Sequence, residues 1–463
     1  MAPHSESARP NRDTTPPVPA DRAPGLRHNR NWQVLWTGQL VSQLGDFVFD
    51  VTVVLWVGTV ISHGQRWAPI AVSGVLVAAA VPTVLIGPVA GVFVDRWNRR
   101  RTMLVADLVR AALVGSLLAV PVLGDRLPTW AQLAAIYTAV AATATVSQFF
   151  NPARFATVGA AVAPEDRPKA FSLASASANT ASVLGPPLAA PLLFSVGVRW
   201  AIAVNMLSYL LSYALIRMTR IPESAAGSAP HSGGFRRELD EGLHHLRGNP
   251  VLRTITLTVF LYMFGVGAVN VLEVFFVSEN LKADPSWLGT LNGALGLGSI
   301  AGALLSPRLA ARIGERPVFA WGIVATALLV FAYARSTSLP LTVALLGVMG
   351  VPLAMVNTVL GPIILQETPN RLLGRINAVL NPLVYLASVA SMALAGLLAS
   401  RMAPGFTANL GGLHLHRIDL ILSCSAGLMA LAGATAVSRL RPVPPAPLHP
   451  PPQTADDRSR LSP

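Results

Sequence analysis

The chain has 463 residues, of which 52% are hydrophobic and only 12% are charged. Soluble domains carry about 25% charged residues to cover their surface. This composition therefore excludes an ordinary soluble protein and indicates that much of the chain lies in lipid. The net charge is +13, but the basic residues fall in predicted loops and tails, so the charge does not indicate a nucleic-acid-binding protein. Cys424 is the only cysteine, which excludes an intrachain disulfide.

Apolar runs of about 20 residues, long enough to cross a bilayer as helices, occur about twelve times in two sets of six. The predicted spans are 33–60, 68–92, 102–123, 129–150, 171–195 and 198–217 in the first half, and 252–277, 286–306, 317–335, 339–362, 376–400 and 418–438 in the second. This order predicts an all-α membrane protein made of two six-helix halves. Paired halves with a site at their interface are typical of transporters.

The polar segments between and beyond these spans predict the domain boundaries. They give a disordered N-terminal tail at 1–30, an N-terminal half at 31–218, a central linker at 219–250, a C-terminal half at 251–440 and a disordered tail at 441–463. The N-terminal tail has no apolar core and so no visible signal peptide. Within the linker, Phe235–Arg247 has the pattern of a short amphipathic helix on the membrane surface.

The distribution of basic residues predicts the orientation in the membrane. If both termini are cytoplasmic, 27 of the 35 Lys and Arg residues lie in cytoplasmic loops and tails, and seven lie in the opposite loops. The positive-inside tendency therefore predicts cytoplasmic termini. Arg is far commoner than Lys, and Ala and Pro are frequent, a composition typical of bacteria with GC-rich DNA. We expect a multi-pass protein of a bacterial cytoplasmic membrane.

The turn after the second span reads Gly91-x-x-x-Asp95–Arg96-x-x-Arg99–Arg100. It resembles the loop 2–3 signature of the major facilitator superfamily, with Asn98 where that signature has a glycine. The resemblance covers nearly all of 31–440. It implies the major facilitator fold and a secondary transporter. No nucleophile–base constellation stands out in the sequence, and its histidine pairs lack the further ligands of a metal site, so we expect no enzyme, no cofactor and no metal.

Three further stretches resemble parts of that superfamily. Trp36-x-Gly38–Gln39-x-x-Ser42-x-x-Gly45–Asp46 and Asn151–Pro152–Ala153–Arg154 look like the branch that includes siderophore and macrolide exporters. Leu184–Gly185–Pro186 resembles the Gly-Pro of the antiporter signature, with Ala189–Ala190 where a glycine pair is usual. Gly185 and Pro186 should break or bend span five. The Arg usually found within span four of proton-coupled drug exporters has no counterpart in 129–150.

Acidic residues at membrane depth are the main candidates for function. Asp46 lies about 21 Å along span one from its start, near the midplane, and Asp50 lies one turn further on the same face. Glu273 lies in the outer part of span seven. The sequence offers no Lys or Arg at comparable depth, so we expect these acids to be protonated or to face water. Either state suits proton exchange coupled to a substrate.

An alternative reading of these acids is purely structural. Each could be a neutral acid that is hydrogen-bonded to Gln39, Gln43 or Asn270 and only holds helices together. Asp107 and Arg110 are most simply a local ion pair three residues apart. Aromatic residues that could line an apolar cavity are Phe47, Phe49, Trp56, Phe149, Phe150, Tyr209, Phe260, Tyr262 and Phe264.

The loop 2–3 turn predicts a gate. A carboxylate at the end of a helix is disfavoured by the helix dipole unless it has a partner. Neighbouring arginines could partner Asp95, and so could the amino end of the helix that opens near Ile376. Such a cluster would form in one state and break in the other, although the turn could also be a topology signal that needs only positive charge. The predicted gating residues are Gly91, Asp95, Arg96, Arg99 and Arg100.

These observations predict a transporter that exports a small, largely apolar compound (a drug, an antibiotic or a siderophore-like metabolite) by alternating access, with protons as the coupling ion. The expected partners are the substrate, protons and the bilayer, for a monomer that binds no nucleic acid. Two alternatives remain: a nutrient importer or lipid flippase on the same fold, and a membrane receptor or scaffold that does not transport.

Overall fold

The computed structural model describes Leu26 and residues 29–94, 96–219, 235–369, 372–403, 405–410 and 413–440. The first half comprises α1 (Arg30–Trp56), α2 (Ala68–Leu85), α3 (Gly87–Val94), α4 (Arg99–Ser116), α5 (Ala119–Leu123), α6 (Thr129–Ala161), α7 (Arg167–Pro191) and α8 (Val198–Met218). After α9 (Phe235–Gly248), the second half comprises α10 (Pro250–Phe275), α11 (Trp287–Ile313), α12 (Glu315–Ala334), α13 (Leu339–Glu367), α14 (Leu373–Arg401) and α15 (Arg417–Arg439). The predicted tails lie almost wholly outside the described residues.

Within the described residues, eleven helical segments are long and apolar enough to cross a membrane. They correspond to every predicted span except 171–195. That span is also helical, as α7 and the π-helical turn Leu192–Val196 that follows it. Its many Ser, Asn and Thr residues lower the mean hydropathy of α7, which keeps it out of the eleven apolar segments. The prediction of an all-α membrane protein is confirmed.

Several helix bounds differ from the predicted spans: α11 and α13, for example, continue to Ile313 and Glu367, beyond the predicted ends at 306 and 362. Two further differences affect the site. The helix of span four continues past residue 150 to Ala161, because Pro152 is accommodated within α6. This extension places Arg154 inside a membrane-crossing helix, whereas the sequence assigned it to a loop. Span two is divided into α2 and α3, which separate at Ile86 between Pro82 and Pro88. Proline cannot donate a backbone hydrogen bond, so a pair of prolines interrupts the helix there.

The helices run alternately up and down, so the bundle has two distinct ends. We call the Arg-rich end the one that carries the start of α1 and the turn Arg96–Arg101, and the far end the opposite one. At the far end a short antiparallel hairpin, Thr407–Leu410 paired with Leu413–His416, precedes α15. The hydrophobic periodicity of the sequence gave no signal for this hairpin, because each strand has only four residues.

Each half packs mainly on itself. In the first half α1 packs against α7 and α8, and α6 packs against α2 and α4. In the second half α10 packs against α14 and α15, while α13 packs against α11 and α12. The main helix pairs that join the halves are α2 with α14 and α7 with α11, and α2 also contacts α10.

The close contacts between the halves lie toward the far end. The backbone amide of Ile70 in α2 donates a hydrogen bond to Oγ of Ser400 in α14 at 3.1 Å. One turn away, Gly396 lies against Ser73, and a Cβ at Gly396 would be 1.7 Å from the Ser73 Oγ. In the second pair, Gly289 of α11 lies against the Pro187 carbonyl of α7. The halves are therefore in contact in the far part of the bundle.

The predicted amphipathic helix of the linker is present as α9. It lies at the Arg-rich end and packs on the bundle, against α14 and α10. Leu246 joins an apolar cluster with Leu252, Ile376 and Val379. Glu241 forms an ion pair with Arg375 at the start of α14. The helix is thus fixed to the second half of the bundle.

Candidate functional site

The centre of the first half contains a group of charged and polar side chains that we call the N-half charge cluster, defined as Asp46, Asp107, Arg110, Arg154 and Tyr209. Asp46 lies in the middle of α1, and the hydroxyl of Tyr209 in α8 donates a hydrogen bond to its carboxylate. The two helices approach closely here because the residue before Asp46 is glycine and lies directly against Ser208. Asp46 itself is half-buried.

Arg110 occupies a buried place in this cluster. Its guanidinium lies over the ring of Phe150, 4.0 Å from the centroid, and over the ring of Tyr209 at 4.4 Å. It also forms an ion pair with Asp107, and the two side chains are 3% and 0% exposed. The predicted local pair between Asp107 and Arg110 is therefore present. The two aromatic faces supply the cation–π contacts that help a desolvated guanidinium to remain charged.

The expectation that no basic residue lies at the depth of Asp46 is wrong. Both Arg110 and Arg154 interact electrostatically with Asp46. The sequence placed Arg110 too far toward one end because it gives no sign that a long side chain reaches across to Tyr209. It placed Arg154 in a loop because it ended span four too early. The signal that could have found this cation is the apolar run on both sides of Arg154.

The N-half charge cluster is only partly hydrogen-bonded. Nε of Arg110 is buried and has no hydrogen-bond partner among the described residues. Buried polar atoms without partners are uncommon in native structures, and each calls for an explanation.

Asp50 and the two predicted glutamines extend this polar face along α1. Asp50 is exposed and interacts electrostatically with Asp46. Gln43 donates to the backbone carbonyl of Gln39 at 3.1 Å, and Gln39 donates to Oγ of Ser212 at 3.4 Å. The recorded hydrogen bonds of the glutamines therefore go to groups other than the acids. Spacings of three and four residues place all four side chains on one face of the helix.

A small pocket adjoins this face toward the Arg-rich end, between α1, α6 and α7. It has a volume of about 140 Å³. Its lining includes Trp36, Gln39, Gln43, Arg154 and Phe171, and the indole of Trp36 donates to Ser177 of α7 at 2.7 Å. The predicted glutamines thus line a pocket that also holds aromatic side chains and a cationic one.

Glu273 lies apart from the N-half charge cluster, in the far part of α10. Its carboxylate accepts a hydrogen bond from the amide of Asn292 in α11 at 3.1 Å. Asn292 also lines a cleft of about 450 Å³ between α7, α11 and α13. The sequence proposed Asn270 as a partner for such an acid, but Asn270 is exposed. The acid is therefore bonded to a residue that lines the cleft between the two halves.

The predicted latch is not tested, because Asp95, the carboxylate at its centre, lies outside the described residues. Arg100 donates to the carbonyl of Arg217 at 2.7 Å, at the carboxyl end of α8, where a positive charge complements the helix dipole. The start of α14, expected to receive the latch, is occupied by α9 through the pair between Arg375 and Glu241. Arg96 and Arg99 are exposed and half-buried respectively, and Gly91 has open space beside it.

Gly185 and Pro186 do not break span five. The helix α7 runs through both residues without interruption. Gly185 packs against α1, and a Cβ there would lie 2.4 Å from Cβ of Phe47. The glycine therefore allows the two helices to approach closely.

An ion-pair network at the far end was not predicted. Arg417 at the start of α15 is buried and pairs with Glu279 at the end of α10. It also donates to the carbonyl of Ala399 in α14 at 3.0 Å. Asp419 accepts from Asn280. The network fastens the far ends of three helices of the second half. The sequence treated Arg417 as a loop charge because the span was expected to start at 418.

Among the described residues, no group of three or more His, Cys, Asp or Glu side chains could hold a metal ion.

Comparison with known proteins gives the family. A family model described as a transmembrane secretion effector matches residues 23–446. An MFS-type transporter of Bacillus subtilis, YkuC, is 23% identical over 406 residues, covering 85% of this chain and 90% of that protein. Macrolide efflux protein A of Streptococcus pyogenes is 27% identical over 280 residues, covering 59% and 66%. The multidrug efflux pump Tap of Mycolicibacterium fortuitum is 25% identical over 405 residues, covering 84% and 91%.

Solved structures confirm the fold. A bacterial homologue of the iron transporter ferroportin in an inward-facing state has a TM-score of 0.68 at 16% identity, covering 88% of this chain and 98% of that one. The nucleoside transporter NupG has a TM-score of 0.67 at 12% identity, covering 89% and 100%. The predicted major facilitator fold and the prediction of a transporter rather than an enzyme are confirmed. The chain belongs to the transmembrane secretion effector family of major facilitator superfamily transporters.

Proposed function

We propose that the protein exports a small, largely apolar compound from bacterial cells, driven by protons that move inward. In this proposal Asp46 exchanges its proton for the substrate, and Arg110 and Arg154 stabilise the carboxylate when the proton has left. Asp50 and Glu273 are further candidates for the proton pathway. The relatives whose names describe macrolide or multidrug efflux support the direction and the class of substrate.

The observation that carries the proposal is the environment of Asp46. A carboxylate in the middle of a membrane helix is costly and is retained where it serves transport or proton transfer. Asp46 is half-buried, bonded to Tyr209 and within the electrostatic reach of two arginines. If Asp46 served only to join α1 to α8, the hydrogen bond from Tyr209 would be sufficient. The two arginines supply positive charge that can balance the Asp46 carboxylate after its proton has left. A proton-coupled carrier requires such a balance.

Alternating access would use the contacts between the halves. We propose that the Arg-rich end is cytoplasmic, as the Arg distribution predicts, and that the contacts of Gly396 and Gly289 at the far end close the outer side. Loading would then occur from the cytoplasm. Release would require the halves to separate at the far end and meet at the Arg-rich end, where the turn of Gly91, Arg96, Arg99 and Arg100 would act.

The pocket beside the Asp46 face indicates what the substrate would meet first. Trp36 and Phe171 offer apolar surfaces, and Gln39 and Gln43 offer hydrogen-bonding groups. Pockets for small molecules are mostly apolar with a few placed polar groups. A compound with a large apolar surface and a few hydrogen-bonding groups fits this lining.

The test is transport in everted membrane vesicles. Vesicles with the wild-type protein should accumulate a macrolide or a lipophilic dye when a pH gradient is imposed, and Asp46→Asn should abolish that accumulation. Asp284→Asn is the matched control, since it removes the same charge from an exposed loop at the far end. Gradient-driven transport by Asp46→Asn at the wild-type rate would rule out the coupling role, and net flux in the opposite direction would indicate an importer.

A further inference from the structure

A groove on the membrane-facing side of the first half is separate from the proposed transport site. It has a volume of about 550 Å³ and lies between the loop 2–3 turn, α4 and α6. Its floor and walls are Val105 and Val109 of α4 and Phe149 of α6, and Arg96, Trp97 and Arg101 lie at its mouth. The groove therefore combines an apolar channel with two positive charges at one end.

The groove opens toward lipid and away from the centre of the bundle. Val105 is 54% exposed and lies on the flank of α4 opposite the buried Asp107 and Arg110. Its position near the amino end of α4 places the mouth of the groove at the level of the membrane interface. Trp97 stacks on Phe149 at 5.7 Å between ring centroids, and Trp is enriched at that interface.

The charges of the groove are available to a ligand. Arg96 and Arg101 are exposed, and neither guanidinium forms an ion pair with another described residue. No residue that lines the groove within the described part of the chain is acidic. Asn98 caps α4 by accepting from the Arg101 amide, so the positive end of this helix also points toward the same region. The mouth favours an anion, and the channel behind it favours an acyl chain.

We propose that this groove binds an anionic phospholipid, with the phosphate group between Arg96 and Arg101 and one acyl chain along Val105, Val109 and Phe149. Basic pockets between membrane helices are the usual sites of such lipids. The occupant is a membrane lipid rather than a soluble anion, because inorganic phosphate alone would leave the apolar part of the groove unfilled. The bound lipid would stabilise the turn that carries the loop 2–3 residues.

The experiment is native mass spectrometry of the purified full-length protein with added phosphatidylglycerol, and with phosphatidylcholine of the same acyl chains. The wild type should retain one phosphatidylglycerol at concentrations where phosphatidylcholine does not bind. The double variant Arg96→Gln/Arg101→Gln should bind phosphatidylglycerol about tenfold more weakly. The matched control is Arg308→Gln/Arg312→Gln, which removes two exposed charges from α11 at the same end and should change the affinity less than about twofold.

A second variant distinguishes lipid binding in the groove from lipid binding to a charged surface. Val105→Trp/Val109→Trp fills the channel and leaves both arginines in place, so it should also lose the lipid. The proposal is overturned if the two arginine variants weaken binding equally, or if the tryptophan variant retains the wild-type affinity. Displacement of the lipid by inorganic phosphate at equal concentration, or by an exported compound, would likewise assign the groove to another ligand.

Discussion

The hydroxyl of Tyr209 in α8 donates a hydrogen bond to the carboxylate of Asp46 in α1, and the Tyr209 ring at the same time carries the guanidinium of Arg110 on its face. One side chain thus links the acid proposed to carry the proton to the cation proposed to balance it. The hydroxyl and the ring can be tested separately, because phenylalanine keeps the ring and removes only the hydroxyl.

We expect Tyr209→Phe to lower gradient-driven transport several-fold without abolishing it, and Tyr209→Ala to reduce it much further. The first change removes one hydrogen bond to a charged group, worth about 1.5–3 kcal/mol. The second also removes the cation–π contact of Arg110. The measurement is the initial rate of dye uptake into everted vesicles at equal amounts of protein in the membrane.

The matched control is Tyr137→Phe in α6. Tyr137 also donates its hydroxyl to an acceptor in another helix, the carbonyl of Ala71 at 2.9 Å, but it lies outside the N-half charge cluster. This control should transport like the wild type. Equal rates in Tyr209→Phe and Tyr137→Phe would show that the hydroxyl serves only to pack α8 against α1.

The buried pair between Asp107 and Arg110 should dominate the stability of the first half. Replacing either residue by Ala leaves the other as a buried charge without its partner, a change that typically costs about 3–5 kcal/mol. Replacing both, as in Asp107→Leu/Arg110→Met, should recover most of that loss. Thermal unfolding of the detergent-purified variants, followed by intrinsic tryptophan fluorescence, measures the effect.

A second ion pair with the same spacing provides the control. Asp166 and Lys169 lie 3.7 Å apart, and Lys169 is 77% exposed. Exposed pairs contribute less than about 1 kcal/mol, so Lys169→Gln should leave the unfolding temperature nearly unchanged. If Arg110→Ala were as stable as Lys169→Gln, Arg110 would have to be solvated in the membrane, contrary to its burial.

The sequence predicted the features of this site that depend on local composition, and it missed those that depend on which helices pack together. Membrane helices form wherever about 20 apolar residues occur in a row, so nearly every span was found. Asp46 was identified because a carboxylate is conspicuous inside such a run. Its partners were missed, since Tyr209 is far away in the chain and nothing local indicates which helices become neighbours. Asn292 was missed as the partner of Glu273 for the same reason.

The boundaries of the spans were harder to predict than their existence. Asn151 and Pro152 suggest the end of a helix in a soluble protein, but in a membrane helix the surrounding apolar residues override that signal. Arg154 was therefore placed in a loop, and one of the two cations near Asp46 was lost from the prediction. The motif around Asp95 was recognised, but the bonding of Arg100 to α8 depends on the position of another helix end.

The contact between Gly396 and Ser73 should control the separation of the halves at the far end. A Cβ at position 396 would be 1.7 Å from Oγ of Ser73 and 2.7 Å from the carbonyl oxygen of Pro69. Val at this position cannot fit while α2 and α14 are in contact, so Gly396→Val should favour a state in which the far end is open. The change can be followed by the distance between spin labels at Gln65→Cys and Thr337→Cys in a Cys424→Ser background.

We expect the distribution of label distances to shift to longer values in Gly396→Val. The control is Gly427→Val in α15, where a Cβ would meet nothing within 4 Å, and the distances there should stay as in the wild type. An unchanged distribution in Gly396→Val, with the protein still folded by size-exclusion chromatography, would mean that α2 and α14 yield locally and that this contact does not set the state.

We expect the docking of α9 on α14 to depend on the glycine at position 242. Gly242 of α9 lies against the backbone of α14, and a Cβ there would be 2.6 Å from the carbonyl oxygen of Arg375. Gly242→Val should therefore displace α9 and expose Leu246, which packs with Ile376. Backbone amides in a displaced helix lose protection, so hydrogen exchange across 240–248 should become faster by at least about tenfold.

Gly248→Val is the control for this displacement, because Gly248 ends the same helix and a Cβ there would meet nothing within 4 Å. Its exchange should match the wild type.

The start of α14 is also where the loop 2–3 turn is expected to dock when the Arg-rich end closes. If α9 holds the start of α14 away from that turn, Gly242→Val should favour closure of the Arg-rich end as well as faster exchange. Faster exchange without any change in the distance between labels on the two halves would show that α9 is bound to the second half but does not control access.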